Sequence, residues 1–235
     1  MALVTTPAAP TSDSYVSVAD ATAYFLARED AESWNDLTTD PDRERALKNA
    51  TRDLDRLFSQ VSSGVSLIDQ SLEWPWNDVQ IPCTADSGST TTAVCDVFAL
   101  TSYPDDYFNG GAIWVYDSGN VAPEFEAPKL ISDFVRLTGT FTFAAFTAAI
   151  ANGNSLEIFP PPPRWLKNAT CEQALFLLSD ERTLTGADRQ AGIKERSTQD
   201  GTITYLPIAD APWLCEAAYQ GVSPYLPESM GISRG

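Results

Sequence analysis

Pro163-Arg164-Trp165-Leu166-Lys167-Asn168-Ala169-Thr170-Cys171-Glu172-Gln173-Ala174-Leu175-Phe176-Leu177-Leu178-Ser179 decides how this chain is read. Proline is tolerated in the first turn of a helix. Leu166, Ala169, Cys171, Ala174, Leu175 and Leu178 then recur at the spacing of one apolar helical face. Such a face needs a partner, and residues 80–159, which read as strands and turns, do not supply one. Residues 14–79 do, with two further amphipathic patterns. A helical pattern is therefore interrupted and resumed. The expected fold class is α+β: a small α-helical bundle with a β-hairpin, interrupted by an inserted all-β domain of small barrel or sandwich type. The expected boundaries are a flexible arm over 1–13, a helical domain over 14–79 and 160–235, and the inserted β domain over 80–159.

In the first helical pattern Ser17 is a good N-cap with Asp20 three residues on, and Val18, Ala21 and Phe25 share a face. Glu29–Trp34 reads as a short polar turn ending near Leu37. Thr39-Asp40-Pro41 starts a second helix, whose apolar stripe is Leu47, Ala50, Leu54, Leu57 and Phe58. Arg43, Glu44, Arg45, Lys48, Arg52, Asp53, Asp55 and Arg56 occupy the remainder. Their mixed signs suit i,i+4 pairs on a solvated face; the sharper alternative is that arginines such as Arg43 and Arg52 contact a neighbouring subunit. Beyond Ser179, Gln199-Asp200-Gly201 between two β-prone runs predicts a hairpin, with Ile193 and Ile203 in its arms. A last short helix is expected over Ala211–Tyr219, ended by Gly221 and Pro224.

Inside the insertion, Ala112–Asp117, Lys129–Phe134, Leu137–Phe143 and Ser155–Ile158 are the main strands, with a turn and β-prone run at 86–94 and a turn-rich loop at 103–111. Four to six short strands at this spacing make a small barrel or sandwich. Pro160–Pro163 is a stiff return boundary; Trp76–Pro82 is the outgoing one.

Composition narrows the function. At 235 residues, 43% apolar, the chain is not wholly disordered, and no apolar run is long enough for a membrane span. Met1–Pro10 lacks the basic region of a signal peptide. The net charge is −17, with 14 acids and 6 bases over 1–79, 9 and 2 over 80–159, and 9 and 7 over 160–235. Such a field repels nucleic acid, although acidic surfaces also serve solubility alone. With no histidine, triad chemistry and histidine metal sites are excluded. There is no Walker loop and no G-x-S-x-G elbow. The expectation is no enzyme, no cofactor and no metal. Asp105-Asp106 and Glu124/Glu126 follow no ligand spacing and read as turn-forming acids. Cys83, Cys95, Cys171 and Cys215 form no C-x-x-C pair. Cys83 and Cys95 could bridge a hairpin, which spacing alone does not show, and all four read as reduced thiols of a protein made in a cytoplasm. Trp74, Trp114, Trp165 and Trp213 read as core or interface anchors before a stacking platform for bases.

Five motifs in order resemble one family. They are Ser14-Tyr15-Val16-Ser17-Val18-Ala19-Asp20-Ala21 followed by Trp34; Ala50-Thr51-Arg52-Asp53-Leu54-Asp55; Leu72-Glu73-Trp74-Pro75; Ala169-Thr170-Cys171-Glu172-Gln173-Ala174-Leu175; and a hairpin with a short helix ending Pro224-Tyr225-Leu226. Together they resemble the head–tail connector (adaptor) proteins of tailed bacteriophages. The resemblance implies a homo-oligomeric ring of about twelve copies, made in the host cytoplasm and built into the virion neck. The ring would dock beneath the portal protein, extend the DNA channel, and offer an attachment surface to a tail or stopper/nozzle protein. Packaged DNA would pass through without specific binding. The residues expected at its interfaces are Arg43, Arg52, Trp74, Trp165, Ile193, Ile203 and Tyr225.

The insertion resembles a β-module of phage structural proteins in Asp105-Asp106-Tyr107-Phe108-Asn109-Gly110-Gly111, Ile131-Ser132-Asp133-Phe134, Thr138-Gly139-Thr140-Phe141-Thr142-Phe143 and Gly153-Asn154-Ser155-Leu156-Glu157-Ile158. It departs from that pattern at Asn120-Val121-Ala122-Pro123. The module implies a projection that contacts capsid or tail. Some relatives of the connector family are labelled DnaT-like single-stranded DNA-binding proteins. That label makes an accessory protein of phage replication the alternative function, and a carbohydrate-binding or decoration role is the third.

Overall fold

A computed structural model describes residues 3–26, 28–59, 67, 69–76, 79–99, 101–118, 126–179, 195–198, 201–204 and 214–226. The chain divides into two compact units. One comprises residues 1–3, 14–61 and 164–235; the other comprises 4–13 and 62–163. The fold class is α+β.

The first unit is helical. α1 (Val18–Leu26) opens where the Ser17 hydroxyl accepts the Asp20 amide at 3.1 Å, the cap expected from Ser17. α2 (Glu32–Asn35) is a single turn that buries Trp34. α3 (Asp40–Phe58) starts from extended Thr39 with Pro41 in its first turn and buries Leu47, Ala50, Leu54, Leu57 and Phe58. α4 (Arg164–Leu178) runs antiparallel to α3: Trp165 meets Phe58 at one end, and Gln173 meets Asp53 further along. The core joins Val16, Ala21, Phe25, Trp34, Leu47 and Ala50 to Cys171 and Ala174. β8 (Glu195–Thr198) and β9 (Gly201–Thr204) form the expected hairpin, with Thr198 opposite Gly201. α5 (Glu216–Val222) differs from expectation. It begins at Cys215, whose Sγ accepts the Ala218 amide, and it runs through Gly221. A Cβ on Gly221 would meet Ala169 at an ordinary contact distance of 3.7 Å, so this glycine lies within a helix that has room for a side chain and is not its stop signal.

The second unit carries a seven-stranded antiparallel sheet. Its strands are β1 (Ile81–Thr84), β2 (Ser87–Gly88), β3 (Thr92–Val94), β4 (Ala112–Asp117), β5 (Lys129–Val135), β6 (Thr140–Phe143) and β7 (Ser155–Phe159), in the order β1-β7-β4-β5-β6-β3-β2. Sequence reading misses β1 because of Pro82. The structure tolerates that proline because β1 is an edge strand, where a missing N–H costs no ladder bond. Register slips between Ile131 and Asp133 and between Val115 and Asp117 bend β5 and β4. Phe98, Phe108, Phe134 and Phe141 fill the centre, with neighbouring rings as close as 4.8 Å.

Residues 4–13 differ from the expected arm. The Asp13 amide donates to the Val4 carbonyl at 2.9 Å, and the Val4 amide donates to the Asp13 carboxylate at 2.9 Å. This closes a loop in which Ala8 packs against Ala112 and Phe159. Its small alanines permit that close approach, which composition alone does not reveal.

Candidate nucleic-acid interface

On α3 the buried residues occupy one side, so the opposite side is centred on Arg45, Arg52 and Arg56, with Lys48 beside them. These positions follow i, i+3, i+7 and i+11, a stripe about 16 Å long at helical rise. Arg45, Arg52 and Arg56 are exposed. The helix also carries acids, and two of them accept hydrogen bonds from neighbouring elements. The Gln173 amide donates to Asp53 Oδ2 at 2.8 Å, and the Tyr15 hydroxyl donates to Asp55 Oδ1. Both carboxylates are thereby drawn towards neighbouring elements, off the centre of the outer face. Asp42 stays at the start of the stripe, 3.3 Å from Arg45.

Beside the last turn of α3 sits an aromatic stack. Trp165, in the first turn of α4, lies parallel to Tyr225, with centroids 4.5 Å apart and planes at 10°. Phe58 meets the Trp165 ring edge-on at 6.4 Å. Tyr225 is 51% exposed, on a 3-10 turn that begins at Ser223-Pro224. Exposed Arg164 adjoins Trp165 in sequence. A guanidinium stripe that leads to a half-exposed ring pair has the two components that hold a single strand: cations for phosphate and a face for bases.

Six of the seven residues picked from sequence are among the described residues. Trp165 and Tyr225 come together, and Arg52 lies in the stripe. Arg43 turns inward instead. It donates to the Leu37 carbonyl at 2.8 Å, pairs with Asp40 at 3.3 Å and sits 5.9 Å from the Trp34 ring, so it closes the α2–α3 corner. Trp74 is buried in the β unit, edge-on to Trp76 at 5.3 Å. Ile203 lies in β9 opposite Arg196. Ile193 lies outside the described residues, as do Glu124 and Trp213.

Sequence reasoning misses a polar cluster at the other end of α4. Arg28 grips Asp30 with two donors at 2.6 and 2.8 Å, and also donates to Glu172 and to the Tyr24 hydroxyl. Tyr24 in turn donates to Glu172. Burial first, then the Glu172 carboxylate, push the Tyr24 phenol up to about 12. Arg28, Asp30 and Glu172, with Phe176, Cys215 and Glu216, line a hollow of about 440 Å³. The guanidinium is satisfied by two carboxylates, so among the described residues the hollow offers no free cation to an anionic ligand. Arg28 and Glu172 are 144 residues apart, and no local pattern connects them. Among the described residues no group of three or more His, Cys, Asp or Glu side chains is placed to hold a metal ion.

Residues 1–92 match a family model. Its description is "Putative DnaT-like ssDNA binding protein". The matched span contains α1, α2 and the whole arginine stripe, and stops short of Trp165 and Tyr225. No curated protein and no solved structure matches the chain.

Proposed function

We propose that the helical unit binds single-stranded DNA, with the phosphates along Arg45, Arg52 and Arg56 and a base against the Tyr225–Trp165 pair. The carrying observation is the stripe itself: guanidinium groups centred on one helix face, inside the segment similar to a single-stranded-DNA-binding family. The overall charge of −17 opposes this less than it first suggests. The helical unit holds 19 acids and 13 bases (−6), whereas the β unit holds 13 acids and only 2 bases (−11). At physiological salt the screening length is about 8 Å, so a strand on α3 responds mainly to the nearest charges.

The test is fluorescence anisotropy with a labelled oligothymidine across a salt series. Three to four neutralised phosphates give a slope of log affinity against log salt of about −2 to −3. The triple variant Arg45→Glu, Arg52→Glu, Arg56→Glu should abolish binding with its fold intact. Absence of binding by the wild-type protein at low salt would overturn the reading.

A second reading, the connector ring of a tailed phage, is favoured by the β unit. That unit exposes Leu137 at 72% and Val97 at 65%, together with Leu130 and Val135, on a surface almost without bases. Exposed apolar side chains in an acidic surround suit protein contacts. Counting copies in purified virions by quantitative mass spectrometry tests it. About a dozen per particle supports a ring; absence from the particle rejects it.

A further inference from the structure

Cys83 lies in β1, and Cys95 directly follows β3. These strands stand near opposite ends of the sheet: β1 pairs with β7, while β3 pairs with β6 and β2. The sheet curls so that its ends meet, and at the meeting point the two Sγ atoms are 3.1 Å apart. Cys83 is 8% exposed and Cys95 0%, and both belong to the core cluster with Phe98, Phe141 and Leu156. Around them the chain passes from one ladder to the next: the Ala85 amide donates to the Asn154 carbonyl at 2.9 Å beside the Thr84–Ser155 pair of β1 and β7, and the Asp86 amide donates to the Val94 carbonyl at 2.8 Å beside the Ser87–Val94 pair of β2 and β3. Cys95 is itself fixed, since its amide donates to the Gly139 carbonyl at 3.0 Å. Gly139 has φ +60°, and a Cβ there would come within 2.3 Å of the Cys95 carbonyl oxygen. The two thiols are thus preset neighbours, 12 residues apart in sequence, where the chain passes from the β1–β7 ladder to the β2–β3 ladder.

We propose that Cys83 and Cys95 form a disulfide that staples β1 to the end of β3 when the protein meets a small-molecule disulfide oxidant. The step balances with oxidised glutathione. Cys83, the more accessible sulfur, gives up its proton and attacks one sulfur of the oxidant. One glutathione leaves as a thiol, having taken up that proton. Cys95 then gives up its proton and attacks the Cys83 sulfur of the mixed disulfide, releasing the second glutathione thiol. Two protein thiols lose two electrons, and one external disulfide becomes two thiols. The hydrogen-bonded Cys95 sulfur, together with burial, holds the Cys83 thiol well above its usual range. Little thiolate is present, so closure is slow, over hours. The inference rests on neither functional reading.

The experiment incubates the full-length protein, natively folded, with oxidised glutathione, then unfolds it in guanidinium with iodoacetamide and measures intact mass. The reduced chain should take four adducts. The oxidised chain should take two, weigh about 2 Da less before alkylation, and give one peptide linking Cys83 to Cys95. The β unit's melting midpoint should rise by roughly 10 °C on oxidation, as a short closed loop removes unfolded-state freedom, and fall again with dithiothreitol. Cys83→Ser should take three adducts and show no such rise. Four adducts on the oxidised wild-type chain, or a linked peptide that joins any other pair, would overturn the proposal.

Discussion

The helical and β units hold themselves together by different means. In the helical unit, side-chain hydrogen bonds join segments far apart in sequence. Gln173, fully buried, donates to Asp53 and accepts the Cys215 amide at 2.8 Å, so one amide side chain ties α3, α4 and the start of α5. Tyr15–Asp55 and Arg28–Glu172 are two more such ties. In the β unit the centre is a set of phenylalanine rings enclosed by ladders. The charges divide in the same way, with 13 of the 15 bases in the helical unit. The lesson is that the net charge of a chain is not the charge a ligand meets. Where a unit spends its carboxylates on internal hydrogen bonds, a basic face emerges from a sequence of mixed sign.

The largest effect that separates the units is expected from Leu54→Asp. Leu54 is fully buried in α3, so a carboxylate there costs roughly 3–5 kcal/mol. Calorimetry should show the helical unit's transition displaced or lost, and the β unit's transition in place. Both transitions moving together would mean that the two units unfold as one body.

Much of this comparison was legible in advance. Ser17, Thr39-Asp40-Pro41 and the apolar repeats of 40–58 and 163–179 announce α1, α3 and α4 because capping and periodicity are local signals. The block of strands is equally readable from alternation and turn residues. What stayed hidden depends on partners distant in sequence. Arg52 was visible as one charge among many on α3. Its place in a basic stripe shows only once the buried face of α3 is known, and the acids beside it, Asp53 and Asp55, bond Gln173 and Tyr15, which lie 120 and 40 residues away. Trp165 and Tyr225 both stand out in the sequence, but their stacking is a tertiary fact. Cys83 and Cys95 look like a hairpin pair by spacing; only the curl of the sheet shows that the sulfur of β1 faces the sulfur at the end of β3.

Next in size is Tyr225→Ala. Removing a half-exposed ring should cost about 1–3 kcal/mol of single-strand affinity, a loss of roughly five- to 150-fold, if a base stacks there. The melting temperature should barely change. Affinity that stays constant while stability falls would make the Trp165–Tyr225 pair a packing device. A smaller effect is expected from a variant that begins at Ser14 and has residues 62–163 replaced by a short Gly/Ser linker. The Phe58 and Trp165 rings already touch, so a short linker spans the cut. Removing the −11 unit should tighten oligothymidine binding several-fold at low salt and hardly at all near physiological salt, where screening is strong. Loss of cooperative unfolding would show that the helical unit cannot stand alone.

The smallest effect is on pH dependence, and it tests the internal ties of the helical unit directly. The Tyr24 phenol, buried and donating to Glu172, is pushed up to about 12 from an ordinary value near 10. Below pH 10 both folded and unfolded chains keep this proton, and its contribution to stability is fully present. Between about 10 and 12 the unfolded chain releases it while the folded chain holds it, so stability falls as pH rises. Tyr24→Phe removes that term. The variant should be less stable at neutral pH by about 1 kcal/mol, for the lost hydrogen bonds, yet lose less on going from pH 10 to 12. Cys171, also pushed up to about 12 by its burial, keeps some of the alkaline decline in place. Melting curves of both proteins across that range give the answer. Parallel alkaline limbs would show that the Tyr24–Glu172 bond does not survive in solution. A change confined to the β unit's transition would break the division between the two units at its most local point.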